Sequence, residues 1–239
     1  MIDPEGFRRR FEETRSRIVE AAARAGRDAG EITLMAVTKT HGPEAVDAAA
    51  AADLRHIGEN RVQEAAKKQS GVKAEVYWEL IGPLQSNKAR LAAAHFDRVQ
   101  TVDRAKIVRA LDRACGELGR PVLPVLVQVN VSEDPRKAGV SVRDAPALAE
   151  AVSAAEHLRL EGLMTIPALD DDAEVARRAF AGLRDLRDRL AERLGMPLPV
   201  LSMGMTGDLE TAVEEGSTLL RVGTALFGER GSGFDTCVG

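Results

Sequence analysis

Short runs rich in Val, Ile, Leu and Met alternate along this chain with longer stretches whose apolar residues recur at helical spacing. Eight such runs occur: ITLMAVT (32–38), LRHIG (54–58), VYWELIG (76–82), RVQTV (98–102), VLPVLVQVNV (122–131), RLEGLMTI (159–166), PVLSMG (199–204) and LLRVG (219–223). Helical patterns such as PEAVDAAAAAD, AKIVRALDRACGELG and DAEVARRAFAGLRDLRDRLAERLG separate them, with acidic starts and glycine stops that punctuate helices, and one further helix, within residues 1–26, precedes the first run. Near-continuous apolar runs between helices are the signature of parallel strands covered on both faces. The pattern predicts a single α/β domain, a closed (β/α)8 TIM barrel with an extra N-terminal helix; the strand count alone also admits an open, doubly wound sheet.

In such a barrel the chemistry gathers on the loops that follow the C-terminal ends of the strands. Unusual polar residues do fall there. Lys39 follows the first run, Gly58-Glu59-Asn60 close the second, Gly82-Pro83-Leu84-Gln85-Ser86-Asn87-Lys88 follow the third, and Asn130 ends the fifth. The last two runs end in Ser202-Met203-Gly204 and Arg221-Val222-Gly223-Thr224.

Length and charge narrow the field. A chain of 239 residues is long enough for one well-buried core, and its net charge of −4 gives no long-range attraction to nucleic acid or anionic membrane. Cys115 and Cys237 form neither a CxxC pair nor a zinc set, the four histidines show no i,i+4 pairing, and no run is apolar and long enough to span a bilayer. A cytoplasmic, soluble protein without a metal is expected. The basic runs Arg8-Arg9-Arg10 and Lys67-Lys68 lie in helical patterns and read as solvated faces.

Lys39 admits two readings. An isolated lysine at a barrel rim ordinarily snorkels to water. An amine held instead at an apolar mouth loses hydration, its neutral form becomes accessible, and it can capture an aldehyde as a Schiff base. Ser202, Gly204, Gly223 and Thr224 bring hydroxyls and close backbone N–H groups to the loops after strands seven and eight, where barrels often hold phosphate. Together these describe a compact ligand with an aldehyde at one end and a phosphate at the other. Arg221, in an apolar run, can only donate hydrogen bonds; facing a pyridine nitrogen it would keep that nitrogen an unprotonated acceptor. An ion pair with Glu79 or Glu59 accounts for Arg221 equally well.

The segments AVTKTH, HIGENRVQE, LIGPLQSNK, VNVSEDPRKAGV, GLMTIP and LSMGMTGDLETAVEEGSTLLRVGTALFGER, in this order and over nearly the whole chain, strongly resemble the pyridoxal phosphate homeostasis proteins, also called the YggS or proline synthase co-transcribed family. The resemblance implies a single barrel similar to the N-terminal domain of alanine racemase, spanning 1–230, with 231–239 as a flexible tail. It further implies pyridoxal 5′-phosphate (PLP) held as a Schiff base on Lys39, with Asn60 close to the ring, Arg221 at the ring nitrogen, and Ser202, Met203, Gly223 and Thr224 around the phosphate. Where family members commonly carry a histidine after the tryptophan of the third strand, this chain has Glu79. That carboxylate is expected to pair with Arg221 or Lys39.

Racemisation needs an acid/base on each face of the cofactor, yet the only tyrosine, Tyr77, falls within strand three, and an arginine-paired ring is a poor electron sink. The family resemblance, more than this chemistry, implies a monomeric PLP carrier or regulator in PLP and amino-acid balance, with PLP-dependent apoenzymes as recipients; Lys137 is a candidate second amine, though it reads first as a solvent-exposed loop lysine. A weak amino-acid racemase is the alternative, and a phosphosugar aldolase using the same lysine is a third reading.

Overall fold

A computed structural model describes residues 2–132, 134, 136–167 and 173–228. The tail expected at 231–239 lies outside the described residues. The first helix, α1 (Pro4–Arg24), starts where Asp3 accepts a hydrogen bond from the Glu5 N–H at 3.2 Å and Pro4 occupies the first helical position. Eight strands then close a barrel: β1 (Thr33–Val37), β2 (His56–Glu59), β3 (Tyr77–Leu80), β4 (Arg98–Val102), β5 (Leu123–Asn130), β7 (Leu158–Met164), β8 (Val200–Ser202) and β9 (Leu219–Val222). Every pairing is parallel. The ladder runs from β4 back through β1 to β9 and on to β5, and the additional β4 to β5 pairing closes it. A two-residue strand, β6 (Val140–Ser141), adds to the end of β5 outside the barrel circuit.

The helices α2 (Pro43–Ala51), α3 (Val62–Gln69), α4 (Ala89–His95), α5 (Ala105–Leu118), α6 (Ala145–Ser153), α7 (Ala173–Leu194) and α8 (Leu209–Glu214) connect the strands, and α9 (Thr224–Phe227) follows β9. Helix α5 ends as its sequence implies, on Gly119 at φ 65°, where a left-handed residue closes the last turn. Among the described residues, no helix is long and apolar enough to cross a membrane.

Alternation along the strands divides the core into two layers. Ala36, Trp78, Leu80, Val99, Leu201, Leu220 and Val222 pack into the layer between barrel and helices. The intervening residues Met35, Val37, Ile81 and Leu219 form a separate cluster inside the barrel. The same parity turns Glu79, Gln100, Ser202 and Arg221 inward, so the barrel axis carries polar groups among its apolar filling.

Candidate functional site

The end of β1 is shaped by its neighbours. The Thr38 N–H donates to the Gly58 carbonyl at 3.1 Å and the His41 N–H turns back to the Thr38 carbonyl at 3.0 Å, which brings the chain out of the sheet at Lys39. Thr40 follows at φ 70°, in the left-handed region that a β-branched side chain adopts only under constraint. Lys39 is exposed at this turn, so the desolvated amine expected from the sequence is not what the structure has.

The constraint on Thr38 comes from below. Glu59, at the end of β2, is 1 % exposed and accepts from the Thr38 hydroxyl at 2.5 Å and from Lys68 Nζ. Lys68 also donates to the Thr38 carbonyl at 2.8 Å, and its side chain is 8 % exposed. Two expectations change here. Lys68 does not belong to a solvated face, and Glu59 pairs with Lys68 rather than with Arg221.

Above this cluster lies a cavity of about 310 Å³. Lys39 reaches it from β1, Asn60 from the loop after β2, Ile81, Gly82 and Pro83 from the loop after β3, and Met205, Thr206 and Gly207 from the loop after β8. Val37 on β1, Ile166 after β7, and Arg221, Gly223 and Thr224 from β9 and the start of α9 complete the wall. A smaller adjoining chamber, about 260 Å³, shares Val37, Lys39, Gly223 and Thr224 and adds Thr40, His41 and Gly228. At Gly82 a Cβ atom would lie 2.1 Å from the Asn60 carbonyl oxygen, so only glycine lets the second and third loops meet there.

Arg221 is buried. One Nη donates to Ser202 Oγ at 2.6 Å and the other to the Thr165 carbonyl at 2.8 Å, so neither Glu79 nor Glu59 is its direct partner. Burial pushes the guanidinium down to about 10, which leaves it charged at neutral pH, while the nearby Asp208 carboxylate acts in the opposite sense. Burial raises the Asp208 carboxyl, and its Oδ1 accepts from the Met205 N–H at 2.6 Å, closing the loop that lines the cavity. Thr206 Oγ1 accepts from the Ala225 N–H at 3.3 Å and ties this loop to the first turn of α9.

Five of the seven residues expected at the site, Lys39, Asn60, Arg221, Gly223 and Thr224, face one cavity. Ser202 and Met203 do not. Strand β8 ends at Ser202, whose hydroxyl is enclosed inside the barrel between Gln100 and Arg221, and Met203 packs outward against the helical layer. Their place at the cavity is taken by Met205, Thr206 and Gly207, which the sequence marks only by the glycine and acidic residue ahead of α8. Glu79 contacts neither Arg221 nor Lys39; its partners are His56 Nδ1 at 2.6 Å, Arg98 at 3.1 Å and Gln100 at 2.7 Å. Lys137 is half-buried in the turn after β5 and lines neither chamber.

Comparison with known proteins adds an independent line. The profile of the family described as alanine racemase, N-terminal domain, matches residues 13–231. A pyridoxal phosphate homeostasis protein of Pseudomonas aeruginosa is 48% identical over 219 residues, covering 91% of this chain and 93% of the relative. Its counterpart in Escherichia coli K12 is 43% identical over 231 residues, covering 91% of this chain and 94% of the relative. Among solved structures, PipY of Synechococcus elongatus with PLP bound is 39% identical with a TM-score of 0.78, covering 88% of this chain and 100% of that one. Alanine racemase of Corynebacterium glutamicum, at 19% identity and TM-score 0.71 over 98% of this chain and 64% of its own, shares the fold alone.

Proposed function

Because the chain belongs to the pyridoxal phosphate homeostasis proteins, within the alanine racemase N-terminal domain family, we propose that it binds PLP at the C-terminal mouth of its barrel and holds it for release rather than for turnover. One observation carries the site assignment: an accessible amine, Lys39, and a buried guanidinium, Arg221, face the same cavity from neighbouring strands β1 and β9.

The donor set fits the cofactor. Lys39 Nζ would hold the aldehyde carbon covalently, with loss of water. Arg221 would donate to the ring nitrogen and, lacking any acceptor, leave it unprotonated. Asn60 would flank the ring, and Thr206, Gly223 and Thr224 would meet the phosphate with hydroxyls and backbone N–H groups. Bound there, PLP supplies an electrophilic carbonyl carbon that amines capture reversibly. The exposure of Lys39 suits exchange with an incoming amine, because water and competing amines reach the same atom.

Several features favour a carrier. Tyr77, the only tyrosine in the sequence, is 58 % exposed at the start of β3, the opposite mouth of the barrel from Lys39, where its ring stacks on His56. It supplies no proton to the cavity. An unprotonated ring nitrogen is a weak sink for a carbanion at Cα. We take cytoplasmic PLP-dependent apoenzymes as the recipients and the monomer as the working unit.

The experiment is an absorption titration of the protein with PLP, followed by borohydride reduction and mass mapping of the modified peptide. Wild type is expected to gain the absorption band of a lysine-bound cofactor and to carry the reduced label on Lys39, and Lys39→Ala to lose both. A label that persists in Lys39→Ala would refute the site. Exchange of solvent deuterium into Cα of an added amino acid, abolished by the same substitution, would favour the racemase reading instead.

A further inference from the structure

A hydrogen-bonded column runs through the barrel interior behind Arg221. Its direction follows from one fact: a guanidinium can only donate. Arg221 donates to Ser202 Oγ at 2.6 Å, so the Ser202 hydroxyl must send its own proton onward, to Gln100 Oε1 at 2.6 Å. That fixes the Gln100 amide with its Nε2 toward Glu79, to which it donates at 2.7 Å. The contact between Gln100 on β4 and Ser202 on β8 joins strands that are not neighbours in the sheet, so it crosses the barrel interior.

The far end is anchored as firmly. Glu79 also meets His56 Nδ1 at 2.6 Å and Arg98 at 3.1 Å, and Arg98 in turn donates to Glu161 at 2.9 Å. Barrels of this class ordinarily fill their interior with branched apolar side chains, and a polar network there is tolerated only when every member is satisfied. Among the described residues no buried side-chain nitrogen or oxygen lacks a partner. With the second Nη on the Thr165 carbonyl, two bonds define the guanidinium plane at the cavity wall.

We propose that Gln100 and Glu79 are positioning residues for the cofactor: the column from Glu79 through Gln100 and Ser202 orients the Arg221 guanidinium, so that recognition of the pyridine nitrogen at the mouth depends on a carboxylate inside the barrel. The inference rests on the PLP-binding reading above. It assigns to Glu79 a role that needs no contact with the ligand.

The test compares two ligands on each protein: PLP, and its analogue in which the ring nitrogen is replaced by CH, both titrated by absorbance. Gln100→Leu, of similar volume but unable to bond, is expected to weaken PLP about tenfold, the loss of one charge-assisted hydrogen bond, while the analogue changes by less than about twofold. Glu79→Gln keeps an acceptor for Gln100 but removes the charge; it is expected to weaken PLP roughly threefold with the analogue again spared, and it carries the test should Gln100→Leu fail to fold. Equal losses for both ligands would reduce the column to a structural element and overturn the proposal, as would unaltered PLP binding in the variants. Absence of PLP binding by the wild type, read before any substitution, overturns the underlying function and this inference together.

Discussion

Lys68 illustrates how much a single side chain can do without meeting a ligand. Its ammonium and the Glu59 carboxylate are both buried, and each is costly to leave alone because the desolvation of one is offset only by the other. Through the Thr38 carbonyl the same amine fixes the residue ahead of Lys39, and the left-handed Thr40 on the other side completes a constrained turn. Lys68→Met is therefore expected to lower unfolding free energy by about 3–5 kcal/mol, and Lys68→Met combined with Glu59→Gln to recover most of that loss. Urea unfolding of the two variants separates this from simple loss of a surface lysine, which would move the midpoint hardly at all.

Among the elements, β7 carries the least forgiving position. Its ladder with β5 slips by one residue, passing from Val125 opposite Leu160 to Leu126 opposite Gly162, so Glu161 bulges out of the pairing and its carboxylate reaches Arg98 and Arg159. Gly162 follows at φ 156°, and a Cβ there would lie 1.8 Å from the Val200 carbonyl oxygen on β8. Gly162→Ala is expected to destabilise the barrel by more than about 2 kcal/mol, seen as a lowered melting temperature, since neither the dihedral nor the neighbouring backbone can yield cheaply.

The same elements show what periodicity reveals. The fourth run, Arg98–Val102, coincides with its strand, and all eight runs overlap theirs. The second begins two residues early because Leu54, though its side chain packs in the core, belongs to the turn after α2, where its N–H donates to the Ala49 carbonyl. Strand β6 is two residues long, too short for any period to register. That Lys39, Asn60, Arg221, Gly223 and Thr224 share one cavity is legible in the sequence because residues following strand ends have one place to go in a barrel. Ser202 and Met203 lie outside the cavity lining because inward and outward parity depends on where β8 stops, and no pattern in three residues tells that. The partners of Glu79 and Lys68 come from other strands and helices, and only tertiary structure brings them together.

Across the whole molecule, α1 and α7 grip α8 through charge. Arg17 meets Glu210 at 2.6 Å, Arg24 meets Glu214 at 3.0 Å, and Arg177 bridges Glu214 and Glu215 at 2.8 and 2.9 Å. Hydrogen bonds from Arg17 and Arg177 hold the Glu210 and Glu214 carboxyls below their ordinary value of 4.5. A depressed folded value means the unfolded chain takes up protons first, so this contribution is complete above about pH 4.5 and fades as pH falls through the folded values. Asp208, raised by burial, runs the other way and offsets part of the loss. Urea midpoints are expected to drop between pH 5 and pH 3, and to drop less in an Arg17→Met, Arg177→Met variant that starts from lower stability.

Lys39 follows β1 and Arg221 lies on β9, strands from near the two ends of the described chain that pair with each other in the ring, with Met35 opposite Arg221. During synthesis, the amine leaves the ribosome early and waits for a guanidinium made some hundred and eighty residues later, a separation set by the numbering itself. A nascent chain halted before Leu219 would have the amine without the guanidinium, so under the binding mode proposed above cofactor capture would report synthesis through β9 and ring closure in a single event.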